Sequence, residues 1–150
     1  MSTGNLIRAA PADLQHFAFC TSAGVERSGS FPFLILNLFG VLKFKKAAEN
    51  LLKESGLSYT IVRPSRLTDG PYTSYDLNTL MQATSGTRQK VILSRKDDLL
   101  GEASRIATAE MLCQALVTAE LQGETLAISS EEGAGPGSDS AAWARLVQAL

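Results

Sequence analysis

"VLKFKKAAENLLKESGLSYTIVRPSRLTDG", Val41 to Gly70, carries a helix, a break, a strand and a turn in one short run. From Phe33 to Glu54 the pattern predicts one helix, because Leu34, Leu38, Val41, Ala48 and Leu52 recur at helical spacings. Glu49 and Lys53 stand four apart, the spacing of a surface ion pair, and Gly56 is placed to cap the end. "SYTIVRP" then reads as a strand through its β-branched Thr60, Ile61 and Val62. Asp69-Gly70-Pro71 is a turn signal.

Working outward, Asn5 to Ala10 suggests a helix tail closed by Pro11, and His16 marks the start of a short buried strand, "HFAFCTS". A two-glycine loop leads from that strand to the Phe33 helix. Downstream come a short helix over Leu77 to Ala83, a strand "KVILS", a long helix over Gly101 to Glu120, a strand "TLAIS" and a closing helix. That last helix places Trp143, Leu146, Val147 and Leu150 at i, i+3, i+4 and i+7. The alternation predicts an α/β fold with a mostly parallel sheet and flanking helices. Four short strands behind a helix stub read as the C-terminal half of a doubly wound, Rossmann-like sheet.

A chain of 150 residues is one domain by size, and its net charge of −1 with pI near 5.8 offers no electrostatic footprint for nucleic acid. "FPFLILNLFGVL" is apolar but well short of the ~20 residues that cross a bilayer. "MSTGNLIRAA" shows neither a signal-peptide core nor an Arg/Ser-rich transit segment, which predicts a soluble intracellular protein. Cys20 and Cys113 are expected to be buried small hydrophobes rather than a disulfide. A lone His16 and no paired ligand spacing predict no metal site.

"EEGAGPGSDS", Glu131 to Ser140, sits between a strand and a helix and imitates a phosphate-binding turn. The imitation fails on chemistry. Gly133, Gly135 and Gly137 recur every second residue, Pro136 lacks an N–H, and Glu131 and Glu132 would repel a phosphate. A helix-capping linker is the better reading.

"HFAFCTSAGVERS", "LKFKKAAENLLKESGLSYTIVRPSRLTDGPY" and "GEASRIATAEMLCQAL" together resemble the atypical short-chain dehydrogenase/reductase superfamily, in its NmrA-like, NAD(P)-binding branch. "NLFGVLKFKKAAENLL" and "LTDGPYTSYDLNTLMQATSG" are similar to a plant and algal chloroplast group of that branch. The resemblance implies that residues 1–150 are the C-terminal part of one NAD(P)-binding domain. The N-terminal glycine-rich βαβ unit would then lie upstream. It also implies a chloroplast location, a dinucleotide cofactor with NADP favoured, and an unknown small-molecule substrate.

Carried over by position, Thr21 and Ser22 match the polar end of a strand that faces the nicotinamide. Their competing reading is local backbone satisfaction. Lys45 matches the lysine that binds the nicotinamide ribose, against a solvated lysine beside Lys43 and Lys46. Lys45 and Ser22 are the candidate catalytic residues. Arg63, Pro64 and Ser65 match a turn bordering the nicotinamide amide, against a plain strand terminator. Tyr72 and Tyr75 are candidates for the substrate wall, or for packing. Val41 stands where active members keep a proton-donating tyrosine, one helical turn before Lys45, so carbonyl reduction is expected to be weak or absent. The alternative is a non-catalytic redox-sensing or scaffold protein, self-associating through the Phe33–Leu42 helix. A shortened gene product without stable activity is a third reading.

Overall fold

The computed structural model describes residues 3–11, 13–31, 33, 37, 40–68 and 89–150. The elements in chain order are α1 (Thr3–Arg8), β1 (Phe17–Cys20), α2 (Val41–Glu54), β2 (Tyr59–Pro64) and β3 (Arg66–Leu67). There follow β4 (Lys90–Ser94), β5 (Glu102–Ala103), α3 (Arg105–Gln114), a 3-10 turn at Ala119–Leu121, β6 (Thr125–Glu131) and α4 (Ser140–Gln148). The main sheet runs β1-β2-β6-β4, while β3 and β5 form a separate parallel pair.

β2 is central and buried from Thr60 to Pro64, and its alternating side chains divide the molecule into layers. Ile61 packs with Leu52 of α2 and Ile7 of α1. Val62 turns the other way, into a larger core with Met111 of α3, Trp143 and Val147 of α4, and Leu126 and Ile128 of β6. Arg63 turns back toward α2. Helices therefore cover both faces of a parallel-dominated sheet, as the α/β alternation predicts.

Within the mostly parallel sheet one strand is reversed, and four local expectations need correction. β4 runs antiparallel to β6, from Lys90 opposite Glu131 to Ser94 opposite Ala127, so one strand of four departs from the parallel direction. Hydrophobic patterning reports which faces are buried and carries no sign for strand direction. Among the described residues β1 is an edge strand, half-buried at Phe17 to Phe19 and open at Cys20, rather than a buried one. Cys20 and Cys113 are both exposed.

The predicted Phe33–Glu54 helix is interrupted. Gly40 adopts a left-handed φ of 71°, incompatible with a helix interior, and α2 begins after it. Asn37 Oδ1 accepts from the amide of Leu42 at 3.1 Å, which satisfies one of the donors that a new helix start leaves free. Phe33 and Leu42 are buried with Val25, and most of the segment between them, expected to face a partner, lies outside the described residues. The predicted Gly101–Glu120 helix is shorter, because Glu102 and Ala103 pair with β3 and Ser104 caps the helix start through the amides of Ile106 and Ala107. The expected helix over Leu77 to Ala83 lies outside the described residues.

The Gly56 and His16 readings hold. Gly56 follows α2 with φ of +75°, the conformation a helix-ending glycine supplies. The two ring nitrogens of His16 lie 2.8 Å from Ser58 Oγ and 2.9 Å from Thr60 Oγ1, tying the start of β1 to β2. Among the described residues no helix is long and apolar enough to cross a membrane.

Candidate functional site

β1 and β2 run parallel, so their carboxyl ends finish side by side, where open α/β sheets receive ligands. The pairing continues past the strands: Thr21 N donates to Val62 O at 2.8 Å and Ala23 N to Pro64 O at 2.9 Å. Ser65 N donates to Ile128 O at 2.9 Å, which anchors the end of β2 to β6. These bonds set Ser22, Pro64 and Ser65 around one cleft of 460 Å³, walled by Phe33, Leu99 and Leu100. Ser22 Oγ donates to the neighbouring Ala23 carbonyl at 3.1 Å. Ser65 Oγ is buried and has no hydrogen-bond partner among the described residues. That hydroxyl is costly unless something else accepts or donates there.

Thr21 is gripped twice from α2. Lys45 Nζ donates to its carbonyl at 2.9 Å, and its hydroxyl donates to Glu49 Oε1 at 2.7 Å. Both holders lie on α2 at i and i+4, one turn apart on the same side of the helix. Glu49 is fully buried, not the surface partner of Lys53 that its spacing suggests. Its carboxylate accepts Arg63 Nε at 3.0 Å and Arg63 Nη2 at 2.6 Å. Arg63 Nη2 also donates to Glu26 Oε1 at 2.8 Å, and Lys46 Nζ reaches the same oxygen at 2.8 Å. Two buried charges forgo water, and this bidentate geometry with extra partners is what makes such a pair tolerable.

The titration directions agree with the geometry. Hydrogen bonds from Lys46 and then from Arg63 hold the Glu26 carboxyl down at about 2, against a smaller opposing effect of burial. Burial works against the Arg63 charge, but the hydrogen bonds to Glu49 and Glu26 outweigh it and raise its pKa.

Lys45 stands at a boundary. Beyond it, between α2, α1 and the end of β1, lies an open hollow of 870 Å³ lined by Val41, Phe44 and Lys45 with Phe19 and Cys20 of β1. Val41 and Lys45 thus share a wall, as their spacing predicts, and the valine brings no hydroxyl to it. Of the candidate residues, Ser22, Pro64 and Ser65 meet in the first cleft, and Thr21 and Lys45 sit between the two hollows. The guanidinium of Arg63 is directed at Glu49 and Glu26 under the strand ends. Tyr72 and Tyr75 lie outside the described residues.

Sequence reasoning missed three anchors. Glu49 had a signal: it stands seven after Leu42 and three before Leu52, on the inward stripe of α2, where a carboxylate demands a partner. Glu26 and Asp97 had none. Asp97 accepts Gly24 N at 2.7 Å and Glu26 N at 2.8 Å, pinning the loop after β1 from more than seventy residues away.

The glycine-rich decoy is occupied by its own chain. A Cβ on Gly135 would lie 2.1 Å from the Gln89 carbonyl oxygen. Trp143 Nε1 donates to Gly137 O at 2.8 Å, and Asp139 caps α4 through the amides of Ala141 and Ala142. Its glycines serve close packing and capping. No group of three or more His, Cys, Asp or Glu that could hold a metal occurs among the described residues.

Comparison with known proteins gives this arrangement a family. The model of the NAD(P)H-binding family matches residues 2–118. The chain is 54% identical over 66 residues to Protein TIC 62, chloroplastic, of Oryza sativa subsp. japonica, covering 43% of this chain and 13% of that protein. Against the Pisum sativum protein of the same name it is 39% identical over 114 residues, covering 74% of this chain and 19% of that one. The crystal structure of the oxidoreductase ylbE from Lactococcus lactis superposes with a TM-score of 0.68 at 16% identity, over 99% of this chain and 57% of the other. At that identity the likeness shows the fold. The chain spans less than a fifth of each of these two plant relatives. It belongs to the NAD(P)H-binding family.

Proposed function

We propose that these residues supply the nicotinamide-facing half of an NAD(P)-binding domain, with NADP the favoured form, in a chloroplast protein of the atypical reductase type. Lys45 holds the nicotinamide ribose, Thr21 and Ser22 face the ring, and the Arg63-Pro64-Ser65 turn borders its amide. The observation that carries this reading is Lys45 Nζ, held 2.9 Å from the Thr21 carbonyl beside Ser22. A cation is thereby fixed at the carboxyl end of β1 instead of swinging in solvent, where a ribose hydroxyl would meet it. When bound, the dinucleotide supplies a hydride.

The residues fit one end of that cofactor. The carboxyl ends of β1 and β2 offer hydroxyls and a lysine, whereas no Gly-x-Gly-x-x-Gly turn occurs in the 150 residues to cradle a diphosphate. We assign that task to a βαβ unit outside them, seated against the open edge of β1. Position 41 can neither give nor take a proton, so carbonyl reduction by this chain is weak or absent. Arg63 acts as a positioning residue, through Glu49 and Thr21, and its guanidinium touches no ligand.

The test is amide chemical-shift mapping with NADPH at millimolar concentration. Thr21, Ser22 and Ser65 shift in the parent chain, and Lys45→Ala removes the response at Thr21 and Ser22 while the fold is retained. An unresponsive parent chain would overturn independent binding of the nicotinamide end.

A second reading has its own observation. Val41 and Phe44 are exposed beside Phe19 and Cys20 of β1, whose outer edge is unpaired among the described residues, an apolar surface suited to a scaffold protein. Sedimentation separates the two readings: a scaffold role predicts that Phe44→Asp lowers the associated mass and leaves the NADPH shifts alone.

A further inference from the structure

The 460 Å³ cleft is large enough for a small organic ligand, and its walls are fixed in place. The guanidinium of Arg27 lies over the Phe33 ring, 4.6 Å from its centroid, and Arg27 Nη2 donates to the Leu99 carbonyl at 3.3 Å. One side chain thus secures both apolar walls. Phe33 can approach only because position 24 is glycine: a Cβ there would stand 2.1 Å from the Phe33 ring. Ser65 lines the same cleft, and its hydroxyl is buried without a partner among the described residues. Arg66, exposed, contributes the cation of the lining, and no acidic residue lines the cleft among the described residues.

We propose that this cleft takes a small organic carboxylate with an apolar body and a second, hydrogen-bond-accepting oxygen. The body lies against Phe33, Leu99 and Leu100, the oxygen accepts from Ser65 Oγ, and the carboxylate meets Arg66 at the mouth. The assignment rests on the reading above, in that the ligand sits beside the nicotinamide at the ends of β1 and β2. It adds the class of molecule that site would handle.

Ser65→Ala separates a ligand-binding hydroxyl from a packing one. Removing an unsatisfied buried group relieves the free protein in either case, so the change raises Tm by about 2–4 °C. For a ligand-binding hydroxyl the same change also weakens binding. A hydroxyl that merely packs would show the gain in stability without the loss of binding.

The probe is benzoylformate, with its uncharged methyl ester as the control, titrated into the whole chain and followed by amide shifts of Ser22, Ser65 and Gly101. The acid is expected to shift all three and to bind about threefold more tightly than the ester, the scale of an exposed ion pair. Arg66→Ala, a surface change that spares the fold, removes that preference, while Ser65→Ala weakens both probes. Absence of shifts, or equal binding of acid and ester, overturns the proposal. NADPH is titrated separately: shifts with benzoylformate but none with NADPH sink the dinucleotide reading and keep the cleft. Shifts with NADPH alone do the reverse.

Discussion

The two flanks of the sheet are held together by different physics. On the side of β4, β6, α3 and α4 the contacts are dry: Trp143, Met111, Leu121, Leu126 and Ile128 are buried almost completely and pack on one another. On the side of β1 and α2 the centre is a chain of charges, Lys46–Glu26–Arg63–Glu49, with Thr21 attached. The outer strands differ too. Where β4 begins, the chain after β6 folds back over Gln89, and Lys90 pairs across to Glu131 of β6 at 3.4 Å. β1, Phe-Ala-Phe-Cys, has no charge or proline to discourage another strand. Apolar burial is non-directional and suits a flank that needs only to be solid. Charged hydrogen bonds fix angles and distances, and they are found where the candidate site has to be positioned.

The contrast breaks most readily at the dry flank. Trp143→Ala is expected to cost about 5 kcal/mol in chemical denaturation, the upper range for emptying an aromatic site. A cost below about 2 kcal/mol would mean that the flank is less consolidated than its burial implies. At the charged flank, Glu49→Ala should cost about 3–4 kcal/mol, because Arg63 is left buried without its bidentate partner. Replacing both, Glu49→Leu with Arg63→Met, should recover much of that stability while abolishing NADPH shifts at Thr21. If the double variant kept those shifts, the network would have no positioning role.

Gly135→Ala sharpens the comparison of edges. Its Cβ collides with backbone rather than a yielding side chain, so about 2 kcal/mol is expected by thermal unfolding. The smallest effect is with pH. The Glu26 pKa is lowered in the folded chain to about 2, so its contribution is complete above the ordinary carboxylate value and fades as pH falls from about 4.5 toward 2. Glu26 is 45% exposed, so screening limits the contribution to under about 1 kcal/mol. Lys46→Ala should flatten that slope in acid denaturation, and an unchanged slope would remove Glu26 from the clamp.

Much of this architecture was legible because periodicity and β-branching act locally. "TIVRP" and "KVILS" are strands and the Trp143 helix forms as its spacing implies. Local rules failed where a distant group decided the outcome. The direction of β4 depends on β6, more than thirty residues later. The break at Gly40 is reinforced by an Asn37 side chain that hydrophobic spacing does not register. At the site, Thr21, Ser22, Lys45 and the Pro64-Ser65 turn could be singled out by position, but their arrangement could not. Lys45 reads as one of three lysines until the carbonyl it reaches, 24 residues back, is brought beside it.

The double hold on Thr21 has a further consequence for alignment. Neighbouring residues of a strand point to opposite faces, so sliding β1 by one place would present Cys20 or Ser22 to α2 in the wrong orientation and leave the Glu49 carboxylate without its hydroxyl. Thr21 therefore works as a key that turns in only one position. A strand of only four residues can in this way be indexed to a single setting against the helix beside it.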